Sequence, residues 1–153
     1  MENQIDILSK EYVIENGTNF DEELWFTSYS DEVLDNPENE NGQPFTGLAY
    51  ELFTNGNLMY YTNYVKGFIE GNLVEFYKNG NLKSVKYIIH GQSNGIEKIW
   101  YENGKLKFEG EYKCGIALRY IEWSDEGSII KQKHFPTDKD LKMIESFSRI
   151  DFQ

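Results

Sequence analysis

The sequence predicts a mainly all-β fold: an open antiparallel meander of about four repeated β-hairpins, finished by a short C-terminal capping helix. Three observations predict it. Glycines recur at a fixed period, the residues between them are rich in strand-forming side chains, and only the tail carries a helical apolar period. The turn glycines Gly56, Gly80, Gly104 and Gly127 are separated by 24, 24 and 23 residues. Gly67, Gly91 and Gly115 form a second series stepping by 24, and Gly47, Gly71 and Gly95 a third. A fixed period of about 20–50 residues marks a repeat architecture.

The side chains keep the same register. Four residues before the turn glycine stand Leu52, Phe76, Trp100 and Trp123; two after it stand Leu58, Leu82, Leu106 and Ile129; eight after it stand Tyr64, Ile88, Tyr112 and Phe135. The fourth copy reads Asp125-Glu126-Gly127 at the turn and has Leu118 where the others have glycine. Asn-Gly tolerates positive φ at both central positions, so it predicts a type I′ turn. The flanking runs of Tyr, Phe, Val, Ile and Trp read as strands. Each copy is then one hairpin, and "KGFIEG", "HGQSNG" and "CGIAL" lead to the next. A lone hairpin cannot bury its apolar face, whereas stacked copies can.

A two-residue turn would set Tyr77 opposite Leu82 and Tyr101 opposite Leu106. A bulge at the turn would shift one strand's parity and redistribute the faces. On either register both faces carry apolar residues, so each needs some cover. The tail supplies one. After Pro136, Thr137 or Asp138 can cap a helix, and Leu141, Ile144 and Phe147 fall on one face. A helix from about Asp138 to about Arg149 is expected to pack on the last hairpins. The N-terminal segment is the other cover: "EYVIENG" and "ELWFTSYS" read as strands, and "DEVLDNPENENGQP" as a long polar loop. The chain is thus expected to be one domain, with an acidic segment over residues 1–45, the repeats over 46–135 and the helical tail over 136–153.

Charge follows the same division. The net charge of −11 resides in residues 1–45, which hold 12 acids and the single base Lys10; residues 46–153 hold 14 acids and 14 bases. This asymmetry points to a partner-facing acidic surface. It argues against binding nucleic acid or anionic lipid, both of which need clustered cations. No apolar run is long enough to span a membrane and no signal peptide is visible, which predicts a cytoplasmic protein. One cysteine, Cys114, leaves no internal disulfide.

The stretches "GQPFTGLAYELFTNGNLMYY" and "GNLVEFYKNGNLKSVKYIIHGQSNGIEKIWYENGKLKFEGEYKCG" resemble the bacterial MORN-like variant repeat. That repeat is found in antitoxins of the YwqK type and in immunity proteins of polymorphic toxin systems. The resemblance covers about residues 43–135. It implies an open sheet of hairpins that binds another protein, and it supplies no catalytic residues. The first 45 residues lie outside it.

Chemistry is sparse. Cys114 with His90 or His134 is the one pairing that could support nucleophilic catalysis. No spacing suggests a zinc set, a calcium loop or a phosphate-binding loop. No enzyme activity, cofactor or metal is expected. The expected partner is a cognate toxin, a basic nuclease-like domain whose active cleft the chain occludes, with a monomer when free. The residues expected to carry binding are Asp21, Glu22, Glu23, Asp31, Glu32, Asp35, Glu38 and Glu40. Glu51 and Glu75, which share a repeat column with Glu122, follow with Tyr77 and Tyr101. Acids among rings can meet Lys or Arg on a partner. The same acids could instead pair with Lys86, Lys131 or Lys133 across strands. The competing reading is a general interaction scaffold that pairs through sheet edges.

Overall fold

A computed structural model describes residues 6–150. The first five residues of the acidic segment and residues 151–153 of the tail lie outside the described part. The order is α1 (Lys10–Asn16), β1 (Thr18–Asn19), α2 (Phe20–Glu23), β2 (Trp25–Phe26), β3 (Val33–Leu34), a 3₁₀ turn at Glu38–Glu40, then β4 (Gly47–Leu52), β5 (Leu58–Val65), β6 (Phe68–Phe76), β7 (Leu82–Ile89), β8 (Gln92–Ser93), β9 (Gly95–Trp100), β10 (Leu106–Lys113), β11 (Ile116–Trp123), β12 (Ile129–Lys133) and α3 (Asp138–Ile150). From β4 onward each strand pairs antiparallel with its sequence neighbour. β8 is a short outlying piece on β7, and β9 takes the next place in the sheet. β1 adds in parallel to the outer edge of β4, and the sheet does not close on itself. This is the expected open meander.

The turn chemistry is the reverse of the expectation. At the Asn-Gly turns the glycine alone has positive φ, +88° at Gly56 and +94° at Gly80. The amide of Gly56 donates to the carbonyl of Phe53 (2.9 Å) and that of Phe53 to Asn57 (2.8 Å); Gly80 with Tyr77, Gly104 with Tyr101 and Gly127 with Ser124 repeat the pattern. This is a β-turn followed by a bulge at a left-handed glycine. The two-residue turns with positive φ at both positions lie at the other end of the strands, at Lys66-Gly67, His90-Gly91 and Cys114-Gly115.

The bulge settles the parity. Leu52 opposes Leu58, Phe76 opposes Leu82, Trp100 opposes Leu106 and Trp123 opposes Ile129, with a register shift beside each. Tyr77 therefore does not oppose Leu82, nor Tyr101 Leu106. One face carries Tyr50, Leu52, Leu58, Tyr61, Val74, Phe76, Val85 and Trp100. The other carries the rows Ala49–Thr62–Leu73–Lys86 and Glu51–Tyr60–Glu75–Ser84.

The acidic segment covers both faces at the N-terminal end. "EYVIENG" is a helix, not a strand. The Ser9 side chain accepts from the Tyr12 amide at its start, and the Gly17 amide bonds the Val13 carbonyl at its end. These caps, with the burial of Val13, outweigh the strand propensity of Tyr-Val-Ile. Val13 packs with Tyr50, Tyr61, Val74 and Val85 on the first face, and Tyr61 accepts a hydrogen bond from the Leu8 amide through its hydroxyl (2.9 Å). On the second face Leu24 and Val33 pack with Ala49 and Tyr64, with Phe20 and Phe45 beside them. Of "ELWFTSYS" only Trp25 and Phe26 form a strand, paired with β3. Each fully buried aliphatic or aromatic side chain here contributes about 1.5–3 kcal/mol.

Between Val85 and Ile144 no described apolar side chain is fully buried. That half of the sheet is a single layer, held by ties between copies. Asn57 and Asn81 donate to the carbonyls of Lys78 and Glu102 in the next turn, and Lys105 to that of Asp125. At the far end Thr137 and Asp140 cap α3 reciprocally, and Lys133 holds Asp140 at 2.6 Å. Of the expected stripe Ile144 is buried, Phe147 half-buried and Leu141 exposed.

Candidate functional site

The acidic segment is amphipathic. Val13, Leu24 and Val33 are the buried cover of the sheet, with Leu8, Phe20 and Phe45 beside them, while most carboxylates of the segment are exposed. Asn19 caps α2 by accepting from the Asp21 amide, with Phe20 and Leu24 turned inward. Asp21, Glu22 and Glu23 are exposed in succession. Among the described residues no acid of residues 6–45 forms an ion pair.

The loop that follows is ordered by its own acids. Asp35 accepts from the Gln43 amide (2.8 Å) and Glu38 from the Ser28 amide (3.2 Å). The Asp35 amide returns to the Gln43 carbonyl, and Asn41, with φ +63°, ends the 3₁₀ turn. Asp35 and Glu38 thus hold the loop as well as charging it, while Glu40 is exposed. A ring of backbone bonds fastens the loop to the sheet: Val33 donates to Gly67, Gly67 to Phe45 and Phe45 to Val33, at 2.7–2.8 Å. Gly67 is required here twice over, because φ is +90° and a Cβ would stand 2.6 Å from Cγ of Glu32.

This attachment suspends Phe26 and Asp31 over the second face of the sheet and encloses a groove of about 960 Å3. Its floor includes Tyr64, Ile69, Leu73 and Ile88; Lys66, Glu70, Lys86 and His90 stand among its walls. Periodicity cannot reveal this groove, since it exists only where the non-repeated segment meets the repeats.

Beside the groove run the repeat-column acids. Glu51 and Glu75 flank Tyr60 from the two neighbouring strands, and Glu75 also faces Ser84, whose hydroxyl lies 3.2 Å from its carboxylate. Burial, and then hydrogen bonding to Glu51, hold the Tyr60 hydroxyl well above its ordinary value, so it stays a donor. Burial and the Glu51 charge push Tyr64 up to about 12. Glu97 continues the second face. Burial raises its carboxyl, Lys86 opposes the rise and Glu75 adds to it. Glu122 faces Lys131, the cross-strand pairing considered above, whereas Glu51 and Glu75 face neutral donors.

Tyr77 and Tyr101 have a different environment. Their hydroxyls donate to the carbonyls of Trp100 (2.6 Å) and Trp123 (2.8 Å), and Lys83 and Lys107 lie over their rings. The structure does not bring them into the acid row. Cys114 takes part through its backbone, bonding Asn94, and no described hydrogen bond joins it to His90 or His134. No group of three or more described His, Cys, Asp or Glu residues could hold a metal, and no described helix is long and apolar enough to cross a membrane.

Residues 69–88 and 93–113, the β6–β7 hairpin and the β8–β10 unit, match the repeat family described as the MORN repeat variant. The chain carries these repeats. It is similar to the immunity protein YwqK of Bacillus subtilis (strain 168), 58% identical over 71 residues, which is 46% of this chain and 44% of that protein. The chain thus spans less than half the length of that relative.

Proposed function

We propose that this MORN-variant repeat chain is an immunity protein that binds a cognate toxin and blocks it sterically. The observation that carries the reading is the run of exposed carboxylates, Asp21, Glu22 and Glu23, which form no ion pair among the described residues and lie outside a neutral repeat frame. Similarity to a protein named for immunity supports it. The partner is a basic, nuclease-like domain, and the acids stand in for the phosphates of its substrate. Asp31, Glu32, Asp35, Glu38 and Glu40 extend the field along the loop, with Glu51 and Glu75 on the neighbouring sheet face. Complementary fields accelerate encounter and reject wrong partners. The chain acts in the cytoplasm as a monomer, without catalysis or cofactor.

The test is capture of a basic toxin domain by the full chain at low and high salt, with the Asp21→Lys, Glu22→Lys, Glu23→Lys triple variant beside it. Salt-sensitive capture that the variant loses supports the reading. Capture indifferent to salt and to the variant removes it. The free edge β12, where Ile129 and Ile130 are exposed, favours a second reading as a self-assembling scaffold. Light scattering decides between them, since the scaffold requires a stable homo-oligomer in the absence of toxin.

A further inference from the structure

The groove beneath Phe26 is apolar and open, and the acid surface alone gives it no occupant. Its floor is formed by Tyr64, Ile69, Leu73 and Ile88, and Phe26 and Phe68 on its sides are 57% and 49% exposed. Contiguous exposed apolar surface of this kind, rimmed by polar groups, marks an interaction site. The rim selects the occupant. Lys66 and Lys86 stand in the lining and, among the described residues, form no ion pair, so they balance the two acids there and the loop sets the sign of the field. Asp31 and Glu70 also line the groove, and among the described residues neither has an ion-pair partner. The loop on this side carries Asp31, Glu32, Asp35, Glu38 and Glu40 and no base. An acidic or neutral apolar peptide would enter against that field, whereas a cationic one is drawn to it.

We infer that the groove seats a short segment of the partner in which a bulky apolar anchor is flanked by Arg or Lys. The anchor fills the space under Phe26, and the flanking cations meet Asp31 and Glu70. This deepens the immunity reading and rests on it for the identity of the partner as a basic protein. It assigns the tightly packed centre of the interface to the groove and the long-range attraction to the acids of α2. A small buried cluster carrying most of the affinity, within a charged rim, is the usual anatomy of such interfaces.

The experiment uses the isotopically labelled full chain and two synthetic heptapeptides, one with a Leu-Phe-Leu centre flanked by Arg and Lys, the other with the same centre flanked by Glu. The basic peptide is expected to shift amide resonances of Val65–Ile69, Leu73 and Ile88, and the acidic one to leave them unmoved. Phe26→Ala, at an exposed position and with its fold checked by circular dichroism, is expected to weaken the basic peptide roughly tenfold or more. Ile129→Asp at the far edge is the control and is expected to change nothing. Shifts confined to α2, or equal binding of both peptides, would overturn the assignment. If Phe26→Ala inhibits a basic toxin domain as well as the parent, the groove assignment fails while the immunity reading stands. If the parent captures no toxin but the peptide results hold, the immunity reading fails and the groove remains.

Discussion

The hydroxyl of Tyr77 donates a 2.6 Å hydrogen bond to the carbonyl of Trp100, which lies in the next repeat. Tyr101 does the same to Trp123. The first copy has Phe53 and the last Ser124 at this position, so the ties join the second copy to the third and the third to the fourth. Tyr77→Phe is expected to cost about 1 kcal/mol, the net worth of one hydrogen bond. Partner binding should be unchanged. Urea denaturation and a pull-down check both parts; lost binding at unchanged stability would instead make the ring a contact residue.

At the Asn-Gly turns, conformation rather than space demands glycine. A Cβ on Gly104 would meet nothing within 4 Å, yet φ is +91°. Gly104→Ala is expected to cost about 1–2 kcal/mol, and Gly104→Asn less, since Asn tolerates left-handed backbone. Thermal unfolding of the two variants side by side measures the difference. Equal loss in both would point to a steric cause.

The docking of α3 depends on ionised Asp140. The Lys133 ammonium and the Thr137 amide hold its carboxyl at about 2, below the ordinary 3.8. A depressed folded value means that the contribution is present above pH 4 and disappears as the pH falls from about 4 to about 2. The stability gap between the parent and Asp140→Asn should therefore close over that window, as followed by circular dichroism. A gap that persists at pH 2 would refute an ionic origin.

Glu97 works in the opposite sense. Burial and Glu75 raise its carboxyl despite Lys86. Its contribution is present in full below the ordinary value of 4.5 and declines as the pH rises through the folded value. Glu97→Gln, neutral throughout, escapes that decline. Its stability relative to the parent should rise between pH 4 and pH 7. A flat difference would mean that the carboxyl is not perturbed in the folded chain.

Reversing the charges of α2 should leave the fold intact. No described ion pair is lost in Asp21→Lys, Glu22→Lys, Glu23→Lys, and surface changes of this kind shift stability by about 0.5 kcal/mol each at most. Urea midpoints check this. A much larger loss would show that these carboxylates stabilise α2 and are not simply available to a partner.

The sequence alone determined the period, the strands of the repeats and the helical tail, because each is written within one copy or one short segment. Gly56, Gly80, Gly104 and Gly127 announce the turns, and Pro136 with Thr137 or Asp138 announces the start of α3, through interactions a few residues long. Tertiary structure decided the rest. The same Asn-Gly can close a two-residue turn or precede a bulge, and the choice changes which side chains share a face. Ser9 and Gly17 are legible caps, but Tyr-Val-Ile favours a strand, and the burial of Val13 against Tyr61 and Val74 tips the balance. The groove under Phe26 belongs to no segment. It arises where Val33 and Phe45 bond Gly67, partners 22 to 34 residues apart whose meeting no local pattern records.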